Sequence, residues 1–309
     1  MEIMNSLVSI AIPAYKAKFL RETIGSALSQ TYDNVEIIVI NDKSPETVSI
    51  RSIVDSYQNN KIRYFENDEN IGGKDPACNW NKCLSYAKGD FFCLLCDDDL
   101  YEPSFVEEMI ALAKLYPECN VFRARCSIVD ESGVLYDFYP SSPQWETAED
   151  YMMHVFNGLR RQSISEFMLR TQHIRNVGGY AHLPLAWQAD YVSIIKFGQS
   201  GGIASTNKSL VSFRMSGQNI SSRSSENGIR KIEANQIAYK LFHDFIAKTS
   251  DKSLLPYLNE SLKVWKYRVD SSVIKYLTIR TKVKLLKELH KFNINSKAYL
   301  KGLMLSFFE

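Results

Sequence analysis

The sequence predicts an α/β fold, with a mostly parallel central sheet flanked by helices and a helical C-terminal extension. Two patterns carry this reading. Over the first hundred residues, short apolar runs alternate with helical patterns through brief connections, and from about Gly228 onward nearly every segment has helical periodicity. Size agrees: 309 residues, 45% of them hydrophobic, supply a core for one large domain plus an appendage. The expected division is an α/β domain over residues 1–225 and a basic helical region over 226–309.

Taken in order, Leu7–Ile12 is an apolar run closed by Pro13, and a helical pattern follows through Phe19, Leu20, Ile24 and Leu28. Val35–Ile40 is rich in β-branched residues and reads as a strand buried on both faces. Val48–Tyr57 is helical, Ile62–Phe65 a strand, Asn79–Ala87 a helix, and Phe91–Leu95 a strand entered from the Gly89-Asp90 turn. Pro103–Tyr116 is a helix, and Asn120–Asp130 with Val134–Tyr139 forms a hairpin around Gly133. Ala189–Phe197 is helical, and Gly201–Ser205 and Ser209–Met215 read as two short strands.

Right-handed crossovers bring the C-terminal ends of parallel strands to one edge, where ligands bind in such sheets. The residues delivered there are Pro13, Ala14 and Tyr15, then Asp42, then Asp97, Asp98 and Asp99. Three consecutive carboxylates repel one another unless a cation compensates. Oxygen ligands of this kind suit Mg²⁺ or Mn²⁺, which complete their shells with waters and substrate phosphates. The competing reading is a solvated acidic turn, and the position at the end of a buried strand weighs against it. Asp42 is placed to accept from a base N–H or a ribose hydroxyl, although Asn-Asp-Lys-Ser is also good turn chemistry. Tyr15 is placed to stack on a base.

Composition removes several classes. Lys and Arg number 37 against 35 acids, which gives no sign of nucleic-acid binding. The six cysteines lie in apolar or helical contexts, and Cys93 and Cys96 lack the second close pair of a zinc knuckle, so buried free thiols are expected. The N-terminal residues carry no basic n-region, and no run approaches the ~20 apolar residues of a membrane span. A cytoplasmic protein is expected, with any membrane contact peripheral.

The segment LVSIAIPAYKAKFLRETIGSALSQTYDNVEIIVINDKSPE resembles the opening of family-2 glycosyltransferases, which have the GT-A fold. The resemblance continues through Asn70-Ile-Gly72, Asn79-Trp-Asn-Lys-Cys-Leu84, Ala87-Lys-Gly-Asp90 and Leu95-Cys-Asp-Asp-Asp-Leu-Tyr-Glu-Pro103. It returns at Gly178-Gly-Tyr180, Ala189-Asp190, Phe213-Arg214 and Gly217-Gln-Asn-Ile-Ser221, so it covers about residues 6–222. By position it implies that Pro13, Ala14, Tyr15, Asp42, Asn79 and Asp97 hold the donor nucleotide. It also implies a divalent metal on Asp98 and Asp99, with Asp98 the main ligand, and Asp190 as the catalytic base. Trp187, just upstream of Asp190, is read either as a wall of the acceptor side or as a core residue. Two departures stand out: Ala189 replaces an acidic neighbour of the base, and Ser216 stands where many relatives carry a His.

The implied reaction is an inverting single displacement from a nucleotide-diphosphate sugar, UDP-linked in first place. The implied acceptor is a hydroxyl of a glycan or lipid-linked oligosaccharide in surface polysaccharide synthesis. Two rivals remain. A catalytically silent binding module of the same fold would account for Ala189 and Ser216, and a sugar nucleotidyltransferase would need a Gly-rich loop where Pro13-Ala-Tyr-Lys-Ala has no glycine. Between residues 263 and 301, Lys and Arg outnumber the two acids, Asp270 and Glu288, several-fold, in register with an apolar stripe that includes Val264, Trp265 and Val269. Such basic amphipathic helices suit an anionic membrane surface, and a helical bundle with a solvated basic face is the alternative.

Overall fold

The computed structural model describes residues 3–215, 217 and 227–307. Ser216, the stretch Gln218–Ser221 and the expected division at residue 225 lie outside them. Among the described residues ten strands form one sheet: β1 Val8–Ala14, β2 Val35–Asn41, β3 Ile62–Glu66, β4 Phe91–Leu94, β5 Leu100–Tyr101, β6 Val121–Asp130, β7 Leu135–Phe138, β8 Trp145–Glu146, β9 Phe167–Arg170 and β10 Ile203–Met215. The helices are α1 Leu20–Leu28, α2 Thr47–Ser56, α3 Pro76–Tyr86, α4 Phe105–Leu115, α5 Ala148–Phe156, α6 Thr171–Asn176, α7 Ala189–Gly198, α8 Gly228–Lys248, α9 Leu255–Lys275, α10 Ile279–Leu286 and α11 Ser296–Leu305.

The main path through the sheet runs β3-β2-β1-β4-β9-β6-β10-β5. β1 to β4 are parallel, as their alternation with α1, α2 and α3 requires. β1, β2 and β4 are buried along nearly their whole length, which explains their continuous apolar runs. β9 enters antiparallel between β4 and β6, while β6 and β10 are parallel to each other. The sheet is therefore mixed beyond β4. Because β9 runs backward, the residues leading into it reach the same edge as the C-terminal ends of β1, β2 and β4.

Two sequence expectations change. The segments read as separate strands at 201–205 and 209–215 belong to one strand, β10, whose register against β6 shifts between Ser205 and Val211. The polar Thr206-Asn-Lys stretch is a bulge rather than a break. The basic stripe on α9 also fails as a membrane surface, since Trp265 is buried against Phe156 and Phe242, with ring centroids 6.1 and 5.0 Å away. The C-terminal helices thus share a core with α5. Among the described residues no helix is long and apolar enough to cross a membrane.

Two buried ion pairs fix the lead-in to β9. Arg123 on β6 donates from Nε to Glu166 at 2.5 Å and from Nη2 to the Arg161 carbonyl at 2.5 Å. Arg160 donates to both oxygens of Glu146, at 3.0 and 3.2 Å. Arg123→Met leaves Glu166 buried and unpaired, and a stability loss of about 3–5 kcal/mol is expected in urea unfolding. The double replacement Arg123→Met with Glu166→Met should recover much of it; equal losses in both variants would show that packing, not charge, holds this segment.

Candidate active site

One cavity of about 1050 Å³ opens at the shared strand edge. Of the residues singled out in the sequence, Pro13, Tyr15, Asp42, Asn79, Asp97, Asp98, Trp187 and Asp190 line it. Ala14 and Asp99 do not. Ala14 is fully buried in β1 and contributes its carbonyl, which accepts from the Asp42 amide at 3.0 Å.

The three consecutive aspartates point in three directions. Asp97 Oδ2 accepts from the backbone amides of Tyr15 and Lys16, both at 2.8 Å. Asp98 Oδ2 accepts from Lys16 Nζ at 2.8 Å and borders the cavity. Asp99 turns inward: Oδ2 accepts from Ser165 Oγ at 2.6 Å and Oδ1 from the Arg214 amide at 3.1 Å. With both oxygens held in the core and none of its side chain exposed, Asp99 braces the turn instead of serving as the second metal ligand expected from sequence. Burial, reinforced by the charge of Asp98, pushes its carboxyl well up. Burial pushes Asp97 up as well, against the pull of Lys16. The Lys16 ammonium, though desolvated, is raised because Asp97 and Asp98 outweigh its burial.

Residues from the later motifs brace this arrangement. Arg214 Nε donates to the Asp98 carbonyl at 3.1 Å, and its Nη2 reaches Glu22 at 2.7 Å. Asp42 accepts from Asn67 Nδ2 at 2.7 Å, the Ile71 amide at 3.0 Å and the Gly72 amide at 2.7 Å, which draws the loop at 70–73 over the strand ends. A Cβ on Gly72 would lie 2.7 Å from Asp42 Oδ2, so glycine is required there. Asn81 brackets Tyr180, accepting from its amide at 2.8 Å and donating to its carbonyl at 3.0 Å.

Asp190 sits in the first turn of α7. The segment before it is strained: Leu185, Ala186 and Gln188 have φ of 62°, 47° and 68°. Non-glycine residues avoid this region at about 1–2 kcal/mol each, and such strain concentrates at functional sites. Burial raises the Asp190 carboxyl from 3.8 to about 6, with the Tyr191 amide and the Gln162 side chain holding it down.

Sequence reasoning missed Gln162. Its Oε1 accepts from Tyr151 at 2.5 Å, while Nε2, buried in the cavity wall, is turned toward Asp190 without a well-formed hydrogen bond. It also missed that the helix expected from Gly228, α8, reaches the cavity and supplies Lys231, 4.5 Å from the centroid of the Trp187 ring. Trp187 Nε1 donates to Asn235 at 3.0 Å, and Asn235 donates to Asp270 at 3.1 Å, itself paired with Lys266.

Among the described residues, the one group of three whose possible ligand atoms converge is Asp75, Cys78 and His182, beside α3. Asn81, oriented by Tyr180, presents Nδ2 to His182 Nε2 at 3.2 Å, which makes Nε2 the acceptor and Nδ1 the donor to Asp75 at 2.9 Å. That proton occupies the nitrogen a metal would need. The six cysteines are all free thiols.

Residues 9–167 match the family described as "Glycosyl transferase family 2", and the chain belongs to that family. A Rickettsia bellii protein named as an uncharacterized glycosyltransferase is 42% identical over 139 residues, 44% of this chain and only 19% of that protein. A Haemophilus influenzae protein of the same description is 26% identical over 253 residues, covering 76% of this chain and 74% of its own. The fold is GT-A. The structure of S. aureus TarS 1-349 in complex with UDP-GlcNAc is similar with a TM-score of 0.60 at 17% identity, over 97% of this chain and 90% of that one. The mannosyltransferase PcManGT from Pyrobaculum calidifontis, in complex with GDP-Man and Mn²⁺, matches with a TM-score of 0.57 at 12% identity, over 98% and 87%.

The Asp190 carboxyl yields a stability prediction. With its folded-state pKa raised from 3.8 to about 6, its contribution is full below pH 3.8 and is lost as pH rises through 6. Asp190→Asn removes that loss. Urea melts at about pH 7.5 should find the variant more stable than wild type by on the order of 1 kcal/mol, with the gap closing toward about pH 4. A gap that widened on acidification would contradict a desolvated carboxyl at this position.

Proposed function

We propose that this chain transfers a sugar, with inversion, from a nucleoside diphosphate donor to a hydroxyl of a glycan or lipid-linked oligosaccharide in surface polysaccharide synthesis. The carrying observation is that Asp98, from the end of β4, and Asp190, from the start of α7, line one cavity together with Pro13, Tyr15 and Asp42. A UDP-sugar is the first choice of donor. Structures of the same fold in complex with UDP-GlcNAc, with UDP, and with GDP-Man and Mn²⁺ support a donor of this class.

Tyr15 is 41% exposed at the cavity rim and offers a face for the base to stack on. Asp42 has one acceptor position left on Oδ2 for the nucleoside, and Asn79 stands beside it through their shared partner Asn67. Asp98 would hold Mn²⁺ or Mg²⁺. Few carboxylate oxygens of the turn reach the cavity, which fits an ion that takes most of its ligands from phosphate and water. Such an ion neutralises charge growing on the leaving diphosphate. Asp190 takes the proton from the acceptor hydroxyl as it attacks the anomeric carbon, and one displacement assisted by one base inverts that centre. Trp187, fixed by Asn235, walls the acceptor side.

Peripheral membrane docking is confined in this reading to α10, α11 and the residues just after them. Ile279, Val283 and Leu286 are exposed at spacings of four and three residues, and so are Leu300, Met304 and Phe307. Arg280, Lys284, Lys287 and Lys301 stand among them. Apolar side chains beside lysines suit anionic lipid, and a lipid-linked acceptor is found at that surface.

Thermal unfolding with UDP, GDP, dTDP and CDP, each with and without Mn²⁺, tests the donor site. A ligand at a hundredfold excess over Kd adds about 2.7 kcal/mol. Asp190→Asn should keep the nucleotide response of the wild type while turnover falls about 10²–10⁴-fold. Wild-type activity should drop as pH falls through about 6, where the base becomes protonated. Transfer by Asp190→Asn at the wild-type rate would remove the base assignment, and a wild type that binds nucleotide yet transfers to no acceptor would favour the silent module.

For the membrane surface, flotation with phosphatidylglycerol vesicles at low salt should carry the protein, and neutral phosphatidylcholine should not. Val283→Asp with Leu286→Asp should abolish flotation without changing the melting temperature by more than a few degrees. Equal flotation of this double variant would exclude α10 as the docking element.

A further inference from the structure

We propose that Lys16 is a tethered counter-ion that occupies the cation position at Asp98 and gives it up only when a nucleoside diphosphate arrives. The inference rests on the reading that Asp98 carries a divalent ion. Its consequence is that metal and nucleotide bind this chain as a coupled pair instead of in sequence.

Lys16 is attached to the acidic turn at both ends of its own length. Its backbone amide donates to Asp97 Oδ2 at 2.8 Å, so the Cα cannot drift from the carboxylates. Its side chain then folds back, with Nζ 2.8 Å from Asp98 Oδ2 and 3.5 Å from Asp97 Oδ1. The two carboxylates are nearly enclosed, with 7% and 6% of their side chains exposed, while the lysine side chain keeps 27% and lines the cavity. One partner of this pair is fixed and the other has room to move.

The surroundings make this ammonium decisive. Asp97 Oδ2 is committed to two amides, and Asp99 is turned into the core. A divalent ion entering alone would therefore find Asp98 and the free oxygen of Asp97, both already facing the Lys16 ammonium. A hard cation such as Mn²⁺ or Mg²⁺ gains little from so few protein oxygens, and repulsion from an ammonium seated on them is poorly screened in a buried corner. A nucleoside diphosphate changes both conditions. Its phosphate oxygens complete the ion's shell, and its negative charge offers Lys16 another partner within reach of the cavity. Lys16 then moves from Asp98 to the diphosphate as the ion takes its place. The same swing, reversed, would restore the neutralised turn after the nucleotide leaves. Because coupling between two ligands is reciprocal, Mn²⁺ should tighten nucleotide binding by the factor by which nucleotide tightens Mn²⁺.

Lys16→Met keeps the stem and removes the charge, and Lys16→Gln serves as the second variant. Mn²⁺ binding to the protein alone is read by electron paramagnetic resonance of the free ion, then repeated with saturating UDP, GDP, dTDP or CDP. Both variants should bind Mn²⁺ alone at least tenfold more tightly than wild type, and the nucleotide-dependent gain should shrink. Melting temperature gives a reading independent of affinity. In EDTA both variants should melt below wild type, since the acidic turn has lost its counter-ion, and Mn²⁺ should raise them more than it raises wild type. Unchanged or weaker Mn²⁺ binding in the variants, with nucleotide-dependent binding intact in wild type, overturns the role of Lys16 and leaves the metal site standing. Absence of Mn²⁺ binding in all proteins with every nucleotide overturns the metal reading and this inference with it.

Discussion

Asp97, in the turn that follows β4, accepts from the backbone amides of both Tyr15 and Lys16, and this tie joins the segments that leave β4 and β1. Burying a carboxylate is tolerable only when hydrogen bonds and a positive charge replace the lost water, and here two amides and the Lys16 ammonium do so. The floor of the cavity follows from it. Tyr15 is held at the rim, and Lys16 is aimed at Asp98, whose carboxylate borders the cavity beside that of Asp97. Arg214 closes the turn from below through the Asp98 carbonyl, and its amide holds Asp99.

The cavity wall around Trp187 is built differently, from groups far apart in sequence. Arg123 and Glu166 pin the lead-in to β9, and the chain from Trp187 through Asn235 to Asp270 and Lys266 ties the cavity to α8 and α9. Removing one member of such a network strands the others in a low-dielectric interior, so the network rigidifies the wall as a unit. The left-handed residues Leu185, Ala186 and Gln188 are stable only against such a backing. The C-terminal helices therefore act on the site from behind, through Trp187 and Lys231.

What could be read from the sequence follows the range of the interactions. β1 to β4 and the helices between them were legible because their burial is periodic within the segment, and the residues after each strand were legible because topology sends them to one edge. The stretch from Asp137 to Arg175 was not. β8 has two residues and β9 four, and both are stabilised by pairing with distant strands and by ion pairs such as Arg160 with Glu146, not by a local pattern. The aspartate triplet was found at once, but its division of labour was not, since direction depends on Ser165, Arg214 and Lys16. Trp265 looked like a membrane anchor because a basic amphipathic helix reads the same whether its apolar stripe meets lipid or α5. Gln162 carried no signal at all, being a neutral side chain in an unpatterned segment.

That side chain nevertheless bears on how an acceptor would sit. Buried polar atoms almost always have partners, and an exception in a cavity wall asks what completes it. Gln162 is held by Tyr151 through Oε1, so its Nε2 is a fixed donor turned toward Asp190, where it helps hold the carboxyl down without a well-formed hydrogen bond of its own. A hydroxyl placed between the two can accept from the amide while donating to the carboxylate. Its remaining lone pair then has one free orientation. Under the proposed reaction this pairing does what a single base cannot, because a lone carboxylate fixes the proton but leaves the attacking oxygen free to rotate. The neutral amide also suits the task better than a cation would: it orients the oxygen without drawing away the charge that makes Asp190 a base near neutral pH.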